Sequence, residues 1–565
     1  MSDNSVKNAL TLPGTVYGLG TESENAARNY AALSGREYRR FDGTHRNIPA
    51  GSHDVVVCLT SDLTPELMYS SYVEGASKGA PGFIFAPTSE LLQQLCLKIA
   101  TRLAKRSICS NNRVFLYSHL NFQPTQRGDD LFFSGETPRE ALLNALSSNP
   151  AILHIVADGG GIDLLLSPDT IACPFTKRLP TGILGPACQA SDRCRRLSPN
   201  VLTVKEAWES GNLVSFMSIQ AELLLLSSCS TVRFNDGVTD PMYSTGAMLL
   251  QQSSLGAVIS TWRNEYLCPD GSDMHPLLNS LKANTMIGEA VSLFNHSSSA
   301  RSKCLSLCIL GDPCLTLTPL KEFVPLPIIK SSAVAPKLST TNCESSTATR
   351  ATVLIEAITA ALGNDWKYYH YSKGNAIVEK LQLYISSHGS LSSLEEKQLR
   401  DTIEIALLDF LAPVPWLHSF RPSYQMTNAR EDAKCPACSA PARIFDIVFP
   451  RAQGDSWHIY DCPCCGQSMM PPHFSLRIDI SGISQHLIKV SGMPPDAHVL
   501  LSINDSHGWH EPVLSQHADT IRFGDSYTFS VPQILPPLQL RTNVIVVSHF
   551  EIAYVGAGFV GIGEV

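Results

Sequence analysis

Charge is thin in this chain: Lys, Arg, Asp and Glu make up 17% of its 565 residues, with a formal net charge of -8. No basic field of the kind that tracks a phosphate backbone can be built from that supply, so nucleic acid is not expected as a partner. Apolar runs are short as well. None approaches the ~20 residues of a membrane-spanning helix, the Gly-rich tail Ala553 to Val565 included, and no membrane association is expected. The opening Met1-Ser2-Asp3-Asn4-Ser5-Val6-Lys7 has no apolar signal core. These absences lead to an expectation of a cytoplasmic protein. Cysteine, by contrast, is plentiful: 17 thiols in a reducing compartment point to metal ligands or free thiols rather than disulfides. A chain of this length should hold about three to five domains, each large enough for its own core.

Residues 1–149 alternate apolar runs with helical spacing. Thr15 to Leu19, Asp54 to Leu59, Gly82 to Ala86 and Arg113 to Tyr117 read as strands, and Glu22 to Leu33, Glu66 to Lys78 and Glu90 to Lys105 as helices. That alternation predicts an α/β fold with a parallel sheet and helices on its faces. Gly18-x-Gly20 is too short for a phosphate-binding signature and reads as a turn.

Two later segments carry the chemistry. Leu153-His154-Ile155-Val156-Ala157-Asp158-Gly159 and Leu225-Leu226-Ser227-Ser228-Cys229 are apolar runs that end abruptly in small or reactive residues, as buried strands do where they deliver side chains to a sheet edge. Ile152 to Ala157 and Leu223 to Leu226 are read as neighbouring parallel strands. Beyond them come a helix from Ser244 to Ser254, the strand Gly256 to Trp262, Ile287-Gly288-Glu289-Ala290 opening a helix, and Ile309-Leu310-Gly311-Asp312-Pro313-Cys314-Leu315-Thr316-Leu317. In order and spacing these resemble the caspase-like clan of cysteine peptidases, particularly the CHAT and gingipain families, over residues 150–325. The resemblance implies a nucleophile at Cys229 and a histidine at the end of the first strand. That position holds Asp158.

The substitution matters chemically. In the family, histidine takes the thiol proton and backbone N–H groups hold the oxyanion. A carboxylate titrating near ~4 is a poor base for a thiol near ~8.5, and beside the thiol it raises rather than lowers the thiol pKa. Two histidines are candidate replacements. His154 lies on the same strand as Asp158, where a hydrogen-bonded core position is the plainer reading. His119 follows the apolar run ending at Tyr117, and an exposed loop position is its plainer reading. The resemblance therefore implies a pseudopeptidase that binds a peptide or protein partner. The alternatives are a conditionally active cysteine peptidase with a recruited histidine and a Cys229-dependent acyl or peptidyl transferase. Arg193, Arg195 and Arg196, between the two strands, lie where the family borders its substrate groove; a solvated charge run is the simpler reading. Oligomeric state is not legible.

A Ser/Thr/Pro-rich linker, 326–350, precedes a helical segment, 351–425, in which Ser393-Leu394-Glu395-Glu396 reads as a capping box. In residues 430–470, Cys435-Pro436-Ala437-Cys438 and Cys462-Pro463-Cys464-Cys465 flank the strands Ala442 to Val448 and Trp457 to Tyr460. Two Cys-x-x-Cys knuckles on a short strand pair predict a ribbon holding structural Zn²⁺ through Cys435, Cys438, Cys462 and Cys465, with Cys464 spare. Residues 471–565 alternate strands with turns and predict an Ig-like β-sandwich.

Overall fold

In the computed structural model the described residues are 10–41, 48, 51–105, 110–118, 120–159, 163–174, 203–228, 231–232, 234, 244–263, 270–282, 285–297, 300, 305–317, 323, 326, 346–363, 371–412, 425–448, 456–479, 487–494, 496–505, 514–518, 526–530 and 539–560. The chain divides into two compact units, residues 1–235 with 239–330, and residues 331–565 with 236–238. No described helix is long and apolar enough to cross a membrane.

The first unit is built on an eleven-stranded sheet. Its strands are β1 (Thr15–Leu19), β2 (Glu37–Phe41), β3 (Val55–Leu59), β4 (Gly82–Ala86), β5 (Ser110–Tyr117), β6 (Thr125–Arg127), β7 (Asp130–Ser134) and β8 (Pro150–Val156). A small second sheet takes β9 (Asp158–Gly159), β10 (Leu164–Ser167), β11 (Thr170–Cys173) and β12 (Leu213–Ser215), and the main sheet resumes with β13 (Leu223–Ser227), β14 (Ala257–Thr261) and β15 (Leu307–Gly311). The spatial order is β2-β1-β3-β4-β15-β14-β13-β8-β5-β7-β6. Every neighbouring pair is parallel except β14/β15 and the edge pair β6/β7. The sheet is thus two parallel halves running in opposite directions, stitched at β14/β15. It crosses the expected domain limit at 149/150 without a break.

The helices of this unit are α1 (Glu24–Ser34), α2 (Pro65–Tyr69, running on into a π-turn over Ser70–Glu74), α3 (Ser89–Lys105), α4 (Arg139–Ser147), α5 (Val204–Glu209), α6 (Thr245–Gln252), α7 (His275–Ser280) and α8 (Ile287–His296). The central strands β3, β4, β8, β13, β14 and β15 are buried at every residue, which is why they read as continuous apolar runs. Strand β2, Glu37-Tyr38-Arg39-Arg40-Phe41, is the exception. It lies at the sheet edge with its charges exposed, a composition that discourages further pairing and hides the strand from pattern reading.

The clasp across the sheet comes from the Leu-Gly-Asp-Pro motif. Asp312 and Arg36 are fully buried; Arg36 donates from both terminal nitrogens to the carboxylate (2.5 and 2.9 Å). The Tyr30 hydroxyl donates to the same carboxylate (2.5 Å), as does the Cys314 N–H (2.8 Å). Gly311 holds φ 113°, a backbone conformation that favours glycine, and a Cβ on Gly82 would stand 2.3 Å from the Gly311 carbonyl oxygen, so the first is required by its conformation and the second by close backbone approach. Asp312 thereby ties α1 and the loop before β2 to the last strand.

The second unit opens with α9 (Thr347–Gly363), α10 (Tyr371–Ser387) and α11 (Ser393–Leu411). The capping box of α11 sits one residue earlier than expected: the Ser392 side chain accepts from the Glu395 N–H, while Glu395 reaches back to the Ser392 N–H, so Ser393 is the first helical residue. An eight-stranded sheet follows, ordered β16-β17-β18-β19-β26-β25-β22-β23, with β16 (Gln425–Lys434), β17 (Pro441–Val448), β18 (Ser456–Cys462), β19 (Gly466–Met470), β22 (His498–Asp505), β23 (Leu514–His517), β25 (Gln539–Ser548) and β26 (Glu551–Val560). A three-stranded sheet, β20 (Arg477–Asp479), β21 (Leu487–Ser491) and β24 (Tyr527–Ser530), faces it. Ile478, Val490 and Phe529 of the small sheet share one core with Val499, Leu501, Val544 and Val555 of the large one. The region is all-β with two packed sheets, and its larger sheet joins the cysteine knuckles to the C-terminal strands through β19 and β26. The expected strand Thr520 to Phe523 lies outside the described residues.

Candidate functional sites

Strands β8 and β13 are parallel neighbours, in register from Leu223 opposite Ile152 to Ser227 opposite Val156. Their C-terminal ends are therefore level at one sheet edge, and β5, parallel to β8, ends at the same edge. The backbone of Asp158 continues from β8 into β9, where it pairs with Leu165. Cys229, His119, Cys188, Arg193, Arg195 and Arg196 lie outside the described residues.

The approach to Cys229 is held by hydroxyls. The Ser228 carbonyl accepts from Thr261 Oγ1 (2.6 Å) and Thr231 Oγ1 (3.2 Å); Ser260 Oγ bonds Thr231 Oγ1 (2.7 Å) and donates to the Leu226 carbonyl (3.0 Å). Ser227, Ser228, Thr231, Ser260 and Thr261 are all buried. This network braces the chain just before and after Cys229 from β14. Isolated hydroxyl residues at the ends of apolar strands have no diagnostic spacing, so Thr231, Ser260 and Thr261 carry no sequence signal for that role.

His154 is enclosed. Its exposure is 0%, Nε2 shares a hydrogen bond of 3.0 Å with Ser227 Oγ, and its ring meets the edges of Phe115 and Tyr117. Nδ1 is buried and has no hydrogen-bond partner among the described residues. Burial, reinforced by His275, pushes its pKa down to about 3, so the ring is neutral at physiological pH. Cys173, in the loop region between the two strands, is buried at the end of β11.

The four knuckle cysteines converge. The Sγ atoms of Cys435, Cys438, Cys462 and Cys465 all lie within 4.8 Å of one another, and Cys438 Sγ stands 3.5 Å from Cys462 Sγ. One pair sits in the turn between β16 and β17, the other in the turn between β18 and β19, and pairing of β17 with β18 brings the turns together. Each turn aims backbone N–H groups at sulfur: Ala437 donates to Cys435 Sγ, while Cys464 and Cys465 donate to Cys462 Sγ, each at 3.4 Å. Each Cys-x-x-Cys is followed by a residue in the left-handed region, Ser439 (φ 62°) and Gly466 (φ 76°), which reverses the chain into the next strand. Crowding of the thiols splits their titration. Hydrogen bonding from Cys435 holds Cys438 far below the ordinary thiol range, while Cys435 and Cys465 are driven up. A divalent cation is the group that would let all four be thiolates at once. Cys464 is half-buried; its thiol borders Cys438 and Cys462 but is not one of the four mutually close sulfurs.

Arg443 and Asp461, directly opposed on β17 and β18, form a fully buried ion pair (2.5 Å). They lend nothing to the surface charge that bears on a polyanionic partner.

No protein-family model matches the chain, and no curated protein matches it. Among solved structures, it is similar to one described as a protease (TM-score 0.34, 8% identity, covering 98% of each chain). It is also similar to the Arg-specific cysteine proteinase gingipain R (TM-score 0.33, 7% identity, 98% of this chain and 99% of that chain). A third is the complex of the Porphyromonas gingivalis RgpB pro- and mature domains (TM-score 0.34, 8% identity, 97% and 100%).

Proposed function

We propose that this chain is a caspase-clan relative of the CHAT and gingipain type with a degenerate dyad, a pseudopeptidase that binds a peptide or protein partner at the edge where β8 and β13 end. The observation that supports this reading best is the state of His154. It is the described histidine on these two strands, and it is sealed in the core, bonded to Ser227 and held neutral to about pH 3. A base so placed cannot exchange a proton with a thiol at the sheet edge. Asp158, at the position the resemblance gives to histidine, is the wrong acid for the task. The hydroxyl network around Ser228 preserves a braced strand end, which a binding groove needs as much as a catalytic one does.

The second proposed element is structural. Cys435, Cys438, Cys462 and Cys465 would hold one Zn²⁺ in a closed four-thiolate site, with the N–H···S contacts of both turns stabilising the thiolates. The Ig-like sandwich expected after it is retained as a proposal for the two-sheet region, as is a reducing, cytoplasmic location.

The test is the pH dependence of alkylation at Cys229, read by mass spectrometry with and without cell extract. Labelling whose midpoint lies at or above a free thiol's ~8.5 in both conditions supports the pseudopeptidase. Rapid labelling at neutral pH overturns it. If that reactivity appears only with extract, the conditional peptidase or transferase takes its place.

A further inference from the structure

Away from the knuckles, three potential metal ligands meet in the second unit. Asp401 and Glu404 are three residues apart on α11 and so share one face of the helix. His498 opens β22. One ligand atom from each lies within 4.8 Å of the other two. His498 Nε2 is 3.6 Å from Asp401 Oδ1 and 3.8 Å from Glu404 Oε2. Both separations are too long for hydrogen bonds. They match two ligand atoms that each stand ~2.1 Å from one shared ion at an angle of about 115–130°.

The burial points the same way. His498 is 9% exposed and Glu404 1% exposed, and His498 Nε2 has no hydrogen-bond partner among the described residues. Glu404 Oε1 is already used, accepting the Phe550 N–H at 2.8 Å, which leaves Oε2 facing the imidazole. Among the described residues, the cation paired with this group is Arg400. Its Nη2 is 3.9 Å from Asp401 Oδ1, and its Nη1 is 3.2 Å from His549 Nδ1. Lys397 is paired with Asp496 (3.5 Å), and Arg350 with Glu551 (3.2 Å). Asp401 is partly exposed, so solvent can reach the remaining coordination positions.

We propose that Asp401, Glu404 and His498 bind a first-row divalent cation, Zn²⁺ or Mn²⁺, that staples α11 to the start of β22. One imidazole and two carboxylates suit these ions, and Mn²⁺ has little affinity for thiolates, so it separates this site from the four cysteines.

The experiment uses the full chain after brief EDTA treatment, titrated with Mn²⁺ and followed by loss of the free-ion electron paramagnetic resonance signal. One Mn²⁺ bound per chain is expected, displaced by Zn²⁺, with a rise in Tm on binding. Glu404→Gln keeps an acceptor for the Phe550 N–H, and Asp401→Asn alters a partly exposed group. Each should weaken Mn²⁺ at least tenfold while far-UV circular dichroism stays unchanged. The proposal is overturned if wild type takes up neither Mn²⁺ nor a zinc equivalent outside the four cysteines. It also falls if both folded variants bind as wild type does, or if Glu404→Gln lowers Tm while wild-type Tm is indifferent to the cation.

Discussion

Replacing Asp312 with alanine should loosen the first unit more than any comparable polar change. The carboxylate accepts two hydrogen bonds from Arg36, one from Tyr30 and one from the Cys314 N–H, and neither ionic side chain touches solvent. Asp312→Ala leaves the Arg36 guanidinium buried without its counter-charge, which costs about 3–5 kcal/mol. The orphaned Tyr30 and Cys314 donors add about 1 kcal/mol each where water cannot reach them. With a urea slope of about 3 kcal/mol per molar, a loss of ~5 kcal/mol lowers the midpoint by more than 1 M. Because the chain has two units, the readout should be local: hydrogen exchange by mass spectrometry across a urea series, with peptides of β22 to β26 as the internal reference. Peptides of β1, β4 and β15 should open early, and the reference should not move. The control is the pair Arg36→Met with Asp312→Leu, which removes both charges and should restore at least half of the loss. A midpoint shift under about 0.3 M for Asp312→Ala, or a double variant as weak as the two single losses added together, would show that the clasp does not couple these segments.

Other expectations follow from the same geometry. His154 is neutral when folded down to about pH 3, whereas in the unfolded chain it binds a proton below about 6.5, so stability falls as pH drops through that window. By pH 5 the loss is about 2 kcal/mol, and His154→Leu should remove that part of the slope in paired wild-type and variant denaturation curves. Purified, EDTA-washed protein should retain one zinc held by thiolates. Cys435→Ser or Cys462→Ser should lose it and expose β16 to β19 to protease, while Cys464→Ser keeps it, as measured by elemental analysis and limited digestion. Ser439 occupies a left-handed position, so Ser439→Gly should stabilise the knuckle by about 0.5–1 kcal/mol, read as a higher midpoint for the β16 to β19 peptides.

The apolar runs that became β1, β3, β4, β5, β8, β13 and β14, the helical spacing of α1, α3 and α11, and the paired Cys-x-x-Cys knuckles were all legible along the chain, because each is a local pattern with its own period or spacing. Strand β26 was not. Where the sequence reads as a Gly-rich tail, Ala553 to Val565, the strand Glu551 to Val560 pairs along its whole length with β25 and also meets β19, and its first six residues, buried throughout, show no alternation. Edge strand β2 was hidden by its charges for the opposite reason. Tertiary structure alone decided that the halves of the large sheet run in opposite directions, that Asp312 is a buried clasp, and that Ser227 is the partner of the core His154. It also brought His498 to Asp401 and Glu404 across more than ninety residues of chain. Propensity and patterning act over a turn of helix or a few strand residues, whereas direction, burial and convergence depend on which distant segments pack together, and no short window of sequence encodes that choice.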